Sequence, residues 1–270
     1  MIDWRYGDQL RWRLVLVGLT EHASQYEARG YTTLRGALGQ ARFRRRYGMP
    51  FSPAPKPRLS ATARACRAVI AARIQSPGSE WAAFRAIQLA NFTTPLVLED
   101  DKQLAEVLRG VPGIDADAIV NRLDSPEVTE AYDRDRAETR EAAGSPAELQ
   151  GKTAMTDGPV RFTAPSVVFQ RDGLRLVAGG FQPVEAYDVL ITNLDPTLDR
   201  RPAPDTPAPL LERFPEGLTT QEVAALLTSG NDAPDRPAAE AALLELVAAG
   251  SAVREPLGDD ALWKPVPKPL

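Results

Sequence analysis

The sequence predicts an α/β fold with a small α+β piece appended, and three observations carry that reading. Residues 9–18 alternate in hydropathy and then turn continuously apolar, the pattern of a strand entering a buried sheet. A long stretch after them reads as capped helices, and is followed by a hairpin signal and one more helix. Beyond a proline-rich break, two helical patterns precede a second hairpin signal.

Each element has a local reason. Residues 31–47 are helical and stop at Gly48, ahead of Pro50. Pro53, Pro55 and Pro57 form a stiff connector. Ser60 is the expected N-cap of a helix running to about Gln75, with Ala61, Ala65, Ala68, Val69 and Ala72 as its close-packing face. Ser79 caps a helix given bulk by Trp81, Phe84, Ile87 and Leu89. Asp100 and Asp115 open two more, and Ser125-Pro126-Glu127 opens another with proline in the first helical position. Residues 143–160 read as a loop. Residues 166–170 and 174–178 flank Asp172-Gly173, a two-residue hairpin turn. A helix over residues 184–194 follows.

Pro196, Pro202, Pro204 and Pro207 mark residues 196–207 as a linker between residues 1–195 and a domain at 208–270. In that domain residues 218–227 and 237–249 are helical. Residues 252–254 and 261–263 flank Gly258-Asp259 as a hairpin, with Trp263 as its anchor. Helices followed by a hairpin form a winged-helix-like pattern. Its charge opposes DNA binding: five basic residues stand against ten acidic ones, a net of −5, whereas phosphate contacts dominate nucleic-acid affinity.

Composition is that of an ordinary globular chain, 43% hydrophobic and 25% charged, with a net charge of −4. Cys66 and His22 are the only residues of their kinds. An internal disulfide, a paired-cysteine zinc site and a histidine-rich metal site are therefore excluded, so no metal is expected. No G-x-S-x-G elbow partners His22, which reads as a loop histidine. No apolar run reaches about 18 residues, so no membrane span is expected. No secretory signal is visible either, and the expected compartment is cytoplasmic.

Phe162-Thr163-Ala164-Pro165-Ser166, followed after the hairpin by Gly179-Gly180-Phe181-Gln182-Pro183, resembles the cis-proline loop and the G-x-Q-P segment of DsbA-like thioredoxin-fold proteins. The order of elements is similar to the FrnE-like members and to 2-hydroxychromene-2-carboxylate isomerases. The resemblance covers about residues 9–194, with residues 31–142 as the family's helical insertion. It implies a thioredoxin-like sheet and a substrate platform at Thr163, Ala164, Pro165 and Gln182. In it Pro165 is the cis-proline and Ala164 the contact residue; the plain alternative is a trans proline opening an edge strand.

The family's Cys-x-x-Cys unit has no counterpart here. Residues 4–8 read as the end of the helix that follows that motif, which places the strand–helix unit upstream of Met1 and makes the chain a shortened or mis-started version of a longer one. No catalytic residue is then expected within the chain. Without that unit, residues 10–17 and 166–169 lose their shared neighbour, and either close together or present open edges.

Three functions follow from the resemblance. The first is a thiol–disulfide oxidoreductase acting on protein or peptide thiols, active only with an upstream cysteine motif. The second is a non-catalytic peptide-binding module on the cis-proline platform. The third is a glutathione-dependent isomerase of small aromatic substrates, the one reading with glutathione as cofactor.

The remaining candidates have plain readings. Cys66, on an alanine-rich helix, is a small buried hydrophobe. Arg42, Arg44, Arg45 and Arg46 read first as a solvated helix end where positive charge meets the dipole, with a grip on phosphate or a peptide carboxylate as the alternative. Asp133, Asp135, Glu138 and Glu141 read as an ion-paired helix surface among Arg134, Arg136 and Arg140.

Overall fold

The computed structural model describes residues 1–52, 54–156, 158–230 and 232–267. Pro53 of the connector and Lys268 of the C-terminal charge count lie outside the described residues. In chain order the helices are α1 (Ile2–Tyr6), α2 (Ser24–Ala28), α3 (Thr33–Tyr47), α4 (Ala63–Gln75), α5 (Glu80–Thr93), α6 (Asp101–Leu108), α7 (Ala116–Asn121), α8 (Pro126–Thr139), α9 (Pro146–Leu149), α10 (Val184–Leu194), α11 (Ala208–Arg213), α12 (Thr220–Leu227) and α13 (Arg236–Ala248). The strands are β1 (Thr153–Ala154), β2 (Arg161–Phe162), β3 (Val167–Arg171), β4 (Leu174–Ala178), β5 (Leu218–Thr219), β6 (Ala252–Leu257) and β7 (Asp260–Pro265). They fall into two compact units that do not follow chain order.

The first unit joins Met1–Leu19 to Arg122–Arg201. Its centre is the β3–β4 hairpin, turned by Asp172 and Gly173 at φ 49° and 82°, the paired positive values a two-residue turn needs. Val167 lies opposite Ala178 and Phe169 opposite Leu176. This face packs on Tyr6 of α1 and Ile191 of α10. Val177 packs from the other face against Ala142, Ala147 and Phe162, with Val168 beside them. Both faces are covered at the Val167–Phe169 and Leu176–Ala178 end, which is where the apolar residues lie; Gln170, Arg171 and Arg175 near the turn are exposed. At α10, Asp188 is buried and pairs with Arg5 and, at 3.0 Å, with Arg200.

Residues 10–17 are not a strand, contrary to expectation; they run without regular structure. Their backbone groups bond to side chains of α8 and its C-cap residue instead of to a ladder. Asp135 accepts the Leu16 N–H at 2.9 Å, and Arg140 donates to the Val17 and Gly18 carbonyls at 2.9 and 3.2 Å. Asp135 is therefore a buried brace, not the surface charge its neighbours suggested. The expected multi-stranded sheet is likewise reduced to two-stranded pieces, β1–β2 and β3–β4. Residues 143–160 hold α9 and β1 within what reads as loop.

The second unit joins Thr20–Asn121 to Pro202–Leu270. Helices α4 to α7 pack as a block, with Ala68, Val69, Ile70, Ala71 and Ala72 of α4 fully buried. Helix α4 begins at Ala63, two residues beyond the start that a Ser60 cap implies. The reason is Thr20, whose carbonyl accepts the N–H groups of Thr62 and Ala63, while the Ser60 hydroxyl turns to the Ala61 carbonyl. Asp100 and Ser125 cap α6 and α8 through their side chains. The C-terminal segment builds a three-stranded antiparallel sheet, order β5-β7-β6, beside α11, α12 and α13. Leu218 and Thr219 belong to that sheet, not to the following helix. Trp263 is fully buried and donates its indole N–H to the Thr220 hydroxyl at 2.9 Å.

Candidate functional site

The candidate site is the loop from Thr163 to Ser166, between β2 and β3. Three hydrogen bonds hold it, and a fourth shapes the Gly179–Gln182 turn beside it. The Thr163 hydroxyl donates to the Lys152 carbonyl at 2.9 Å, and the Ser166 hydroxyl to the Thr163 carbonyl at 2.6 Å. The Gly180 N–H donates to the Ser166 hydroxyl at 3.0 Å, and the Gln182 amide to the Gly179 carbonyl at 2.7 Å. The Ala164–Pro165 peptide bond is cis.

Two glycines make this closeness sterically feasible. A Cβ on Gly179 would lie 3.0 Å from the Ala147 Cα, and one on Gly180 would lie 3.1 Å from the Lys152 side chain. Gly180 also holds φ at 69°, where side chains are disfavoured.

Inside this frame Ala164 and Pro165 are exposed, while Thr163 and Gln182 are half-buried. Among the described residues none hydrogen-bonds to the Ala164 backbone. The loop thus combines a braced outline with an exposed residue, Ala164, whose own N–H and carbonyl no described residue takes up. Beside it β3 has only β4 as partner, so its other edge is open among the described residues. Such main-chain groups can receive an extended chain. Of the four residues expected at the site, Thr163 braces the loop, Gln182 braces the neighbouring Gly179 turn, and Ala164 and Pro165 form the accessible tip. Ser166 and the Lys152 carbonyl went unforeseen. The serine beside Pro165 was a readable signal, whereas a backbone carbonyl leaves none.

The other candidates are placed as follows. Cys66 is half-buried on α4, not fully enclosed. His22 is exposed in a turn, its N–H donating to the Gln25 side chain. Among the described residues no group of three His, Cys, Asp or Glu side chains is placed to hold a metal ion. No helix among them is long and apolar enough to cross a membrane.

Comparison with known proteins gives two findings. Residues 40–163, just under half of the chain, match the family model of the DSBA-like thioredoxin domain, ending on Thr163 of the braced loop. A crystal structure described as "a putative protein disulfide isomerase from Nitrosomonas europaea" is similar at 18% sequence identity and a TM-score of 0.45, over 59% of this chain and 72% of that one. No curated protein matches.

Proposed function

We propose that the chain is the body of a DsbA-type thiol–disulfide oxidoreductase of the FrnE-like kind, redox-active only together with a cysteine motif upstream of Met1. The observation that carries this reading is the match of residues 40–163 to the DSBA-like thioredoxin domain. In this reading the Thr163–Ser166 loop receives an extended segment of a protein or peptide substrate. The exposed Ala164 backbone would donate and accept strand-like hydrogen bonds, while Thr163 and Ser166 keep the loop from yielding. The C-terminal segment is read as a winged-helix-like module for protein contact, in keeping with its net charge of −5.

A second reading, a binding module without redox chemistry, is favoured by one observation. Cys66 is the only cysteine of these 270 residues, so they cannot cycle between dithiol and disulfide by themselves.

The test is titration of the protein with an extended, disulfide-containing peptide, followed through backbone amide resonances. Saturable shifts centred on residues 163–166 are expected, with binding about fivefold to tenfold weaker in Ser166→Ala, where a loop hydrogen bond is lost. Shifts elsewhere only, or binding indifferent to Ser166, would sink the docking reading.

A further inference from the structure

The second unit carries a basic depression that the oxidoreductase reading does not use. It has a volume of about 400 Å³ and lies at the C-terminal end of α3, where Arg44, Arg45, Arg46 and Gly48 meet Gln221 of α12 and Arg236 of α13. Gly48 takes the left-handed conformation at φ 69°, and Gln221 fills the space its Cβ would occupy. The end of α3 is thereby fixed against α12.

The charges around it are unequal. Among the described residues, the carboxylates paired with these guanidinium groups are Asp259 and Asp260, and both have further partners. Asp259 pairs with Arg44 and accepts the Phe51 N–H at 3.0 Å. Asp260, on a side chain only 8% exposed, accepts from Arg236 at 2.7 Å and from the Thr220 hydroxyl at 2.8 Å. Thr220 in turn is held by the Trp263 indole. Arg236 is therefore oriented by a buried relay, yet its Nε is buried without an acceptor. Arg45 has no partner among the described residues, and Arg46 only lies over the Tyr47 ring, 5.2 Å from its centroid. Compensation of the α3 dipole accounts for positive charge here, but not for Arg236, which belongs to another helix and is held by the buried Asp260.

We propose that this depression binds a small soluble molecule bearing a di- or triphosphate group. Guanidinium forks carried on two helices, α3 and α13, suit a phosphate chain, whose oxygens point in several directions; a carboxylate has two coplanar oxygens and satisfies one fork. The volume lies in the range of small-molecule pockets, about 300–1,000 Å³, and exceeds what a single phosphate fills.

Isothermal titration of the full chain with inorganic pyrophosphate tests this, at about 50 and 150 mM salt to separate the site from diffuse attraction. Saturable one-to-one binding is expected. Arg45→Ala/Arg46→Ala, which alters two exposed side chains, should weaken it about tenfold or more, a loss in line with removed charge-assisted hydrogen bonds. Arg11→Ala/Arg42→Ala removes the same charge outside the depression and should leave it unchanged. Absence of saturable heat, or equal weakening by both double variants, would overturn the proposal. So would binding of a single-stranded oligonucleotide that is tighter than pyrophosphate and indifferent to Arg45 and Arg46.

Discussion

Arg85 of α5 and Glu222 of α12 form a two-point ion pair, with Nη1–Oε1 and Nη2–Oε2 both at 2.9 Å. The same arginine donates to the Gly217 carbonyl at 2.7 Å, and the same glutamate accepts the Thr219 N–H at 2.8 Å, completing the capping box of α12. One pair thus ties the helical block to the C-terminal segment across more than a hundred residues of chain.

Burial by itself would raise the Glu222 carboxyl, but the hydrogen bonds and charge of Arg85, together with Thr219, outweigh it and hold the group below its ordinary value. Between the folded and ordinary values the unfolded chain binds more protons, so stability rises with pH there. The contribution is present above the ordinary value of 4.5 and is lost as pH falls through the folded one. Glu222→Gln should cost about 1–3 kcal/mol at neutral pH, since Arg85 is left half-buried and underpaired. Its urea midpoint should also fall less steeply with acid than that of the unaltered protein.

Gly18 sits at φ 57°, and a Cβ there would lie 2.9 Å from the Tyr132 Cζ and collide with the phenol oxygen. Tyr132 is fully buried and has no room to retreat. Gly18→Ala should cost about 2 kcal/mol or more, combining a left-handed alanine with overpacking. Tyr132→Phe in the same chain should recover part of the loss, because it removes the colliding atom. A thermal or urea unfolding cycle reads both numbers.

Asp135→Ala should cost about 1–3 kcal/mol by leaving the buried Leu16 N–H without its acceptor. Asp135→Asn, which keeps a carbonyl oxygen in place, should cost less. Amide hydrogen exchange at Leu16 should speed up in the alanine variant ahead of global unfolding. Unchanged exchange there would mean that residues 10–17 are held by something other than α8.

These residues also mark what could be read in advance. Asp100, Asp115 and Ser125 were legible because a cap acts on the next three residues, and Asp172-Gly173 because a two-residue turn is local. Residues 10–17 were not, because an apolar extended run looks the same whether it pairs with a strand or with Asp135 and Arg140 from more than a hundred residues away. Ser60 failed as a cap for a similar reason: the distant Thr20 carbonyl decided where α4 begins. At the site, Thr163 to Ser166 stood out as a motif. The part of Lys152 did not, since its backbone carbonyl bears no mark of residue type.

Lys56 offers a second pH signature. Burial lowers its ammonium from 10.5 to about 8, with the Thr94 and Leu96 carbonyls as its hydrogen-bond acceptors. The folded state gives up that proton first, so the unfolded chain binds more protons between the two values and stability rises across them. Lys56→Met should flatten the rise in urea midpoint between pH 8 and 10.5 and leave the acid side unchanged. A rise that survives the substitution would assign it to another group.

If these residues are, as proposed, the body of a DsbA-type oxidoreductase, their redox activity needs a cysteine motif that they do not themselves carry. The direct measurement is the intact mass of the protein from the cells that make it, with mapping of its N-terminal peptide. The account predicts a mass above 29.3 kDa by about 25–35 residues, the extent of a strand–helix unit, with a cysteine motif in the added segment. A mass of 29.3 kDa with Met1 at the terminus would contradict it and leave the binding-module reading in its place.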